Sequence, residues 1–407
     1  LNSGGPLLVH PYEARANGLE DTAAQYLDEL LSHRVPYRTN PRVESMLRFW
    51  ESQGFECVHG AYFDGRTGDC GVTDTTFNEN GTRRILAYDV LRAHSDRIEL
   101  RLHTKVRSVV FNEHNEAIGV ETAQGERIDG EDVVLAAGVF GTFQVLLRSG
   151  LGPQAQLDRH RIPSIVPHHP SHETIGTGLS DDEGYALVYV GRNHTRTLHH
   201  GSSLHGRVSE SVGVTWWQNV GEGVLMLSFD PPWYAKLLER WDPKWRWKLA
   251  SWLTRRFPNV RMYKVDAKPV RVMRLVLEGD DQVVLIEGPK PPLERACEIH
   301  ALLRKETEGL RARKPWWTAL YQFVDTRVLL LDEPCDDAVL RRVAKKRPTS
   351  AFHHVGGNRL AINDDFTVKG VSNLYLSDAS VLKQAVGGPT VLIMLQGIRV
   401  ADAYLES

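Results

Sequence analysis

The run Asp132-Val133-Val134-Leu135-Ala136-Ala137-Gly138 constrains the fold more than any other stretch of the chain. Apolar residues closed by Ala-Ala-Gly and followed by a helical pattern describe a buried strand feeding a helix. The small residues mark a place where a ligand or another backbone comes close. A plain core strand ending in a glycine turn reads the same way, so the run alone specifies an α/β element and not a ligand. Residues 98–102, 106–111 and 117–122 are short segments rich in β-branched residues, parted by polar turns such as Asn112-Glu113-His114-Asn115-Glu116, and they predict a small strand meander leading into it.

From Gly184 to Gly288 the pattern changes to evenly spaced strands, 185–190, 211–217, 224–229, 270–277 and 283–288, which predict a mostly antiparallel sheet. Residues 293–345 are helical and charged. After residue 346 the α/β character returns: Leu374-Tyr375-Leu376 as a short strand, Ser377-Asp378-Ala379-Ser380 as a tight turn, and 389–405 as an apolar-faced helix with Pro389 near its first turn. The predicted organisation is therefore α/β plus α+β. Residues 1–75 form a loop and helical region, 76–183 one part of an α/β domain, 184–345 a sheet domain with helices, and 346–407 the returning part of the α/β domain.

Composition narrows the function. The 407 residues carry 49 Lys+Arg and 51 Asp+Glu, a formal charge of −2, which excludes a polycationic nucleic-acid binder. No apolar run reaches the 18 or more residues of a membrane helix, and no charged-then-apolar signal segment opens the chain; the compartment stays open. Leu1 in place of methionine implies that residues were removed or that the chain is partial. Four scattered cysteines, Cys57, Cys70, Cys297 and Cys335, read as small buried hydrophobes in a reducing compartment, with a Cys57–Cys70 bridge across a loop as the less favoured alternative. Between residues 231 and 258, Trp233, Trp241, Trp245, Trp247 and Trp252 alternate with Lys236, Arg240, Lys244, Arg246, Lys248, Arg255 and Arg256. That pattern fits a surface helix whose tryptophans cap the sheet, with a helix lying on a membrane surface or a partner as the less favoured alternative.

The chemistry concentrates in Ala351-Phe352-His353-His354-Val355-Gly356-Gly357-Asn358-Arg359, where two imidazoles precede a flexible turn. A histidine near its ordinary pKa of about 6.5 is the usual proton carrier at neutral pH, although paired histidines before glycines are common in loops. Asp364 and Asp365 lie beyond a turn and no third spaced His or Cys completes a zinc site, so no metal is expected.

Several stretches, taken in order, resemble the glucose–methanol–choline (GMC) oxidoreductases, flavoenzymes that oxidise alcohols and sugars. These are Ala136 through Pro153, Ile175-Gly176-Thr177-Gly178-Leu179-Ser180-Asp181, His353-x-x-Gly356-Gly357-Asn358-Arg359, Val368 through Val381, and Pro389-Thr390 through Asp402. The resemblance implies an FAD-binding α/β domain assembled from separated stretches, with a substrate domain on an antiparallel sheet. By carry-over His353, with His354 beside it, is the catalytic candidate, taking the hydroxyl proton of an alcohol or sugar while hydride leaves for the flavin. Val106, Ala137, Gly138, Asp378, Ala379, Gly388, Pro389 and Thr390 become the candidate cofactor contacts.

Two departures accompany the resemblance. Gly388 stands where the family has a second His or Asn before the proline, and no strand–Gly-x-Gly-x-x-Gly–helix unit occurs in the 407 residues. The expectation is a chain sharing FAD with a separate polypeptide that supplies this unit. A catalytically silent scaffold that binds a partner or membrane, and a fragment of a longer chain, are the alternatives.

Overall fold

The computed structural model describes residues 7–31, 37, 41–74, 91, 93–181, 183–190, 203–209, 212–217, 260–267, 273–279, 282–286, 297, 300–301, 304–305, 329–330, 335–336, 349–350, 353–385 and 389–406. Three helices open it: α1 (Pro11–Asn17), α2 (Glu20–Leu30) and α3 (Pro41–Ser52). Pro11 at the first helical position and Gly18 in the left-handed conformation (φ 65°) bound α1. Asn17 then ties α1 to a distant loop, donating to the Gln384 carbonyl and accepting from Lys383 N–H (2.8 and 2.7 Å).

Strand β1 (Cys70–Thr73) precedes the predicted meander, which forms as β2 (Val106–Phe111), β3 (Ala117–Thr122) and β4 (Arg127–Asp129) in antiparallel order. Next come β5 (Val133–Leu135), α4 (Gly138–Arg148) and α5 (Gln154–His160). The seam between meander and α4 is closed by Ser149 Oγ, which accepts from Val109 N–H at 2.7 Å. Phe143, Leu146 and Leu147 on α4 are fully buried with Leu374 and Leu376 in one continuous core.

The remaining strands are β6 (Thr177–Ser180), β7 (Glu183–Val190), β8 (Ser203–Ser209), β9 (Val212–Trp217), β10 (Val260–Ala267), β11 (Met273–Glu278), β12 (Gln282–Ile286), β13 (Leu329–Leu330), β14 (Thr349–Ser350), β15 (Val355–Gly357) and β16 (Leu374–Leu376), before the closing helix α6 (Thr390–Glu406). The large sheet runs β1-β8-β9-β10-β7-β13, antiparallel throughout except for β7–β13, with β14 also on β7. A second antiparallel sheet, β12-β11-β6-β15, is the one that carries the histidine loop. β5 and β16, 241 positions apart at their first residues, pair in parallel as Leu374↔Val133 through Leu376↔Leu135. The α/β domain is thus assembled from separated stretches, as the resemblance implies.

Two expectations are corrected. Residues 98–102 form no strand: no partner pairs with them among the described residues, and Ile98, Leu100 and Leu102 are exposed. The cysteines are not free. Cys57 bonds Cys70 and Cys297 bonds Cys335, because chain segments 13 and 38 residues apart are folded to Cα separations of 4.6 and 5.4 Å. The expected strand 224–229 and the Trp-rich stretch 231–258 lie outside the described residues. Among the described residues no helix is long and apolar enough to cross a membrane.

Candidate active site

A ring of contacts joins four elements. At the start of α4, Thr142 is wholly buried; its hydroxyl accepts from Ala137 N–H (3.2 Å) and donates to Asp378 Oδ2 (2.5 Å). Asp378 leaves β16 and caps the short 3-10 turn Ala379–Val381, its Oδ1 accepting from Ser380 N–H at 2.8 Å. The Ser380 carbonyl accepts from Asn358 N–H (3.0 Å), just beyond β15. From β15 the chain runs back to His354, whose ring meets Phe140 of α4 edge-on at 5.0 Å between centroids.

The histidines are held by Asp181, at the end of β6. His353 N–H donates to Asp181 Oδ1 at 2.9 Å, and His354 Nε2 lies 3.7 Å from Asp181 Oδ2. The register of β15 against β6 brings this carboxylate to the loop, pairing Val355 with Ser180 and Gly357 with Thr177. Gly356 makes that register possible. Its φ is 82°, and a Cβ at this position would stand 2.6 Å from the Gly178 carbonyl oxygen, so there is no room for a side chain. Burial pushes the His354 imidazole below its ordinary 6.5, the Asp181 carboxylate pulls it back up, and the neighbouring His353 adds to the depression. His354 is therefore neutral at pH 7 and able to accept a proton.

His353, His354, Ala137, Gly138, Asp378 and Ala379 are brought together by this ring. Val106 is not part of it: it begins β2, opposite Thr122, on the meander that is tied to the far end of α4. Pro389 and Thr390 are at the start of α6, where the Pro389 carbonyl accepts from Ile393 N–H at 2.9 Å. Gly388 lies outside the described residues. Asp181, Thr142, Phe140 and Asn358 were not among the sequence candidates. Each belongs to a stretch that carries the resemblance, but only the folded contacts give it a place.

The ring retains unmet hydrogen-bonding capacity. Among the described residues, Asn358 Nδ2, Ser380 Oγ and Ser180 Oγ are buried without a hydrogen-bond partner. Nearby, α4 begins with no capping side chain, and Gly138 (φ 74°) has open space where a Cβ would stand. The uncapped start of α4 and the open space at Gly138 suit a ligand rich in acceptor oxygens, and a flavin dinucleotide, with its phosphates and ring carbonyls, fits that donor set.

Sequence models of the GMC oxidoreductase family match residues 16–194 with their N-terminal part and 300–396 with their C-terminal part, together more than half the chain. The chain belongs to the GMC oxidoreductase family. An (R)-mandelonitrile lyase of Prunus serotina is 28% identical over 139 residues, which is 32% of this chain and 24% of the lyase. An oxygen-dependent choline dehydrogenase of Brucella anthropi is 26% identical over 183 residues, covering 44% of this chain and 32% of the dehydrogenase. The chain thus aligns with well under two thirds of the length of these relatives. Among solved structures, pyridoxine 4-oxidase from Mesorbium loti superposes with a TM-score of 0.67 at 16% identity, over 100% of this chain and 82% of that one, which establishes the shared GMC fold.

Proposed function

We propose that the chain is the substrate- and proton-handling part of an FAD-dependent oxidoreductase acting on the hydroxyl of an alcohol or sugar. A second polypeptide would complete it by supplying the strand–Gly-x-Gly-x-x-Gly–helix unit. The observation that carries this reading is the histidine pair, held by Asp181 and Phe140 beside the uncapped start of α4 and the orphaned donors of Asn358 and Ser380. In the reading, α4, Asn358 and the Ala379–Val381 turn hold the cofactor, His353 takes the hydroxyl proton, and neutral His354 stands beside it as a second acceptor. A bound FAD would supply the two-electron acceptor for the hydride that leaves the carbinol carbon.

Support for a completing partner comes from the surface. β5 pairs only with β16 among the described residues, and a two-stranded parallel sheet is rarely stable or solvent-exposed by itself. Val134 is 52% exposed between buried Val133 and Leu135. A strand and helix laid against β5 would cover such a surface. The test is His353→Ala in protein isolated with its co-purifying polypeptide, assayed by reduction of an artificial dye with a panel of alcohols and sugars. Turnover is expected to fall by about 100-fold or more, the usual contribution of a positioned general base. Unchanged turnover refutes the catalytic role.

A further inference from the structure

We propose that Asp181 is the positioning residue of this site, one carboxylate acting through both histidines: Oδ1 fixes the main chain of His353, and Oδ2 holds the ring of His354 and stabilises the charge formed when that ring takes a proton. The inference rests on reading the two histidines as the proton-handling groups.

The geometry separates the two roles. The 2.9 Å bond from His353 N–H to Oδ1 is a backbone contact, independent of either imidazole's protonation, and it sets where the His353 Cα stands relative to β6. The other oxygen, 3.7 Å from His354 Nε2, is beyond hydrogen-bond length but well within the distance at which an opposite charge governs a proton affinity. Both groups are screened from water: the Asp181 side chain is 8% exposed and that of His354 13%. In such a place Coulomb attraction between carboxylate and imidazolium is far stronger than at a surface.

Among the described residues the groups set against His354 are these. Asp181 comes from β6, His353 from its own loop, and Phe140 from α4 carries no charge. Burial and His353 both disfavour the imidazolium, and among the described residues it is Asp181 that opposes them. The doubly protonated ring has its Nε2 on the side of the carboxylate, 3.7 Å from Oδ2, so the positive charge forms beside a negative one. The proton that leaves the substrate hydroxyl can in this way be held on the His353–His354 pair at neutral pH; a bound FAD would take the hydride's two electrons. Asp181 itself neither gains nor loses a proton in the step.

The experiment uses Asp181→Asn, whose remaining carbonyl oxygen can still accept from His353 N–H while the charge is gone. The His354 ring is followed by NMR titration in the isolated protein, its resonance assigned by loss in His354→Gln. The titration midpoint is expected to fall by about one pH unit relative to the parent chain. An unchanged midpoint overturns the proposal. In the active complex, the acid limb of the pH profile of kcat/KM should move down by the same amount. A loss of kcat/KM that is equal at every pH is what a merely structural role gives, and it too overturns the proposal. Asp181→Ser serves as the charge-free variant if the amide prevents folding. The titration needs no turnover, so failure of the oxidoreductase reading, seen as full activity in His353→Ala, is told apart from failure of the Asp181 inference.

Discussion

Replacing Thr142 by valine tests the joint between α4 and the β16 turn. Valine keeps the shape of threonine and leaves no cavity, so the change is confined to the hydroxyl, which in the native protein receives Ala137 N–H and donates to Asp378 Oδ2. Thr142 is fully buried and Asp378 is 5% exposed, so water cannot replace the lost donor without opening the core. A hydrogen bond to a charged group contributes about 1.5–3 kcal/mol. Ser380 N–H still serves the other oxygen, so the lower half of that range applies, and the expected loss is about 2 kcal/mol. That corresponds to roughly a 30-fold fall in the folded-to-unfolded ratio. Urea unfolding followed by far-UV circular dichroism measures it, and a double-mutant cycle with Asp378→Asn isolates the pair. A loss below about 0.5 kcal/mol, or additive single mutants, would refute the claim that this hydroxyl locks the two elements.

Gly356→Ala places a methyl against the Gly178 carbonyl at a positive φ, and should cost about 2 kcal/mol or more while loosening the β6–β15 register; a thermal midpoint equal to the parent's contradicts it. His59 bridges Glu51 and Glu44 of α3 (2.7 and 3.0 Å), and its pKa is raised, chiefly by the bond to Glu51. A raised folded pKa gives stability that is full below the unfolded value near 6.5 and is lost as pH rises through the folded value. His59→Gln should therefore lower the thermal midpoint slightly at pH 5.5 and leave it unchanged at pH 9. The ring is over a third exposed, so the effect stays at the small scale of a screened surface pair. An equal shift at both values would show that the ion pairs are irrelevant.

What could be read from the sequence is what local patterning encodes. β2 and β3 have the bounds that their β-branched runs and polar turns imply, β16 has those of its short apolar Leu-Tyr-Leu run, and β5 feeds α4 through Ala136-Ala137-Gly138 because small residues are needed where strand turns into helix. Contacts between remote segments leave no such mark. Asp181 meets His353 across 172 positions and Thr142 meets Asp378 across 236, so neither pair has a spacing to recognise. The Cys297–Cys335 pair was hidden for the same reason, and a 13-residue separation only allowed, and did not reveal, that Cys57 and Cys70 lie side by side across a β-bridge. Residues 98–102 alternate as a strand does, but alternation specifies a face and not a partner, and the row stands exposed.

The most direct test of the central claim is native mass spectrometry of the protein isolated from its source without denaturation. A split FAD-dependent oxidoreductase predicts a complex containing this chain, a second polypeptide and the mass of one FAD. This chain alone and free of flavin, or a larger assembly free of flavin, would contradict it.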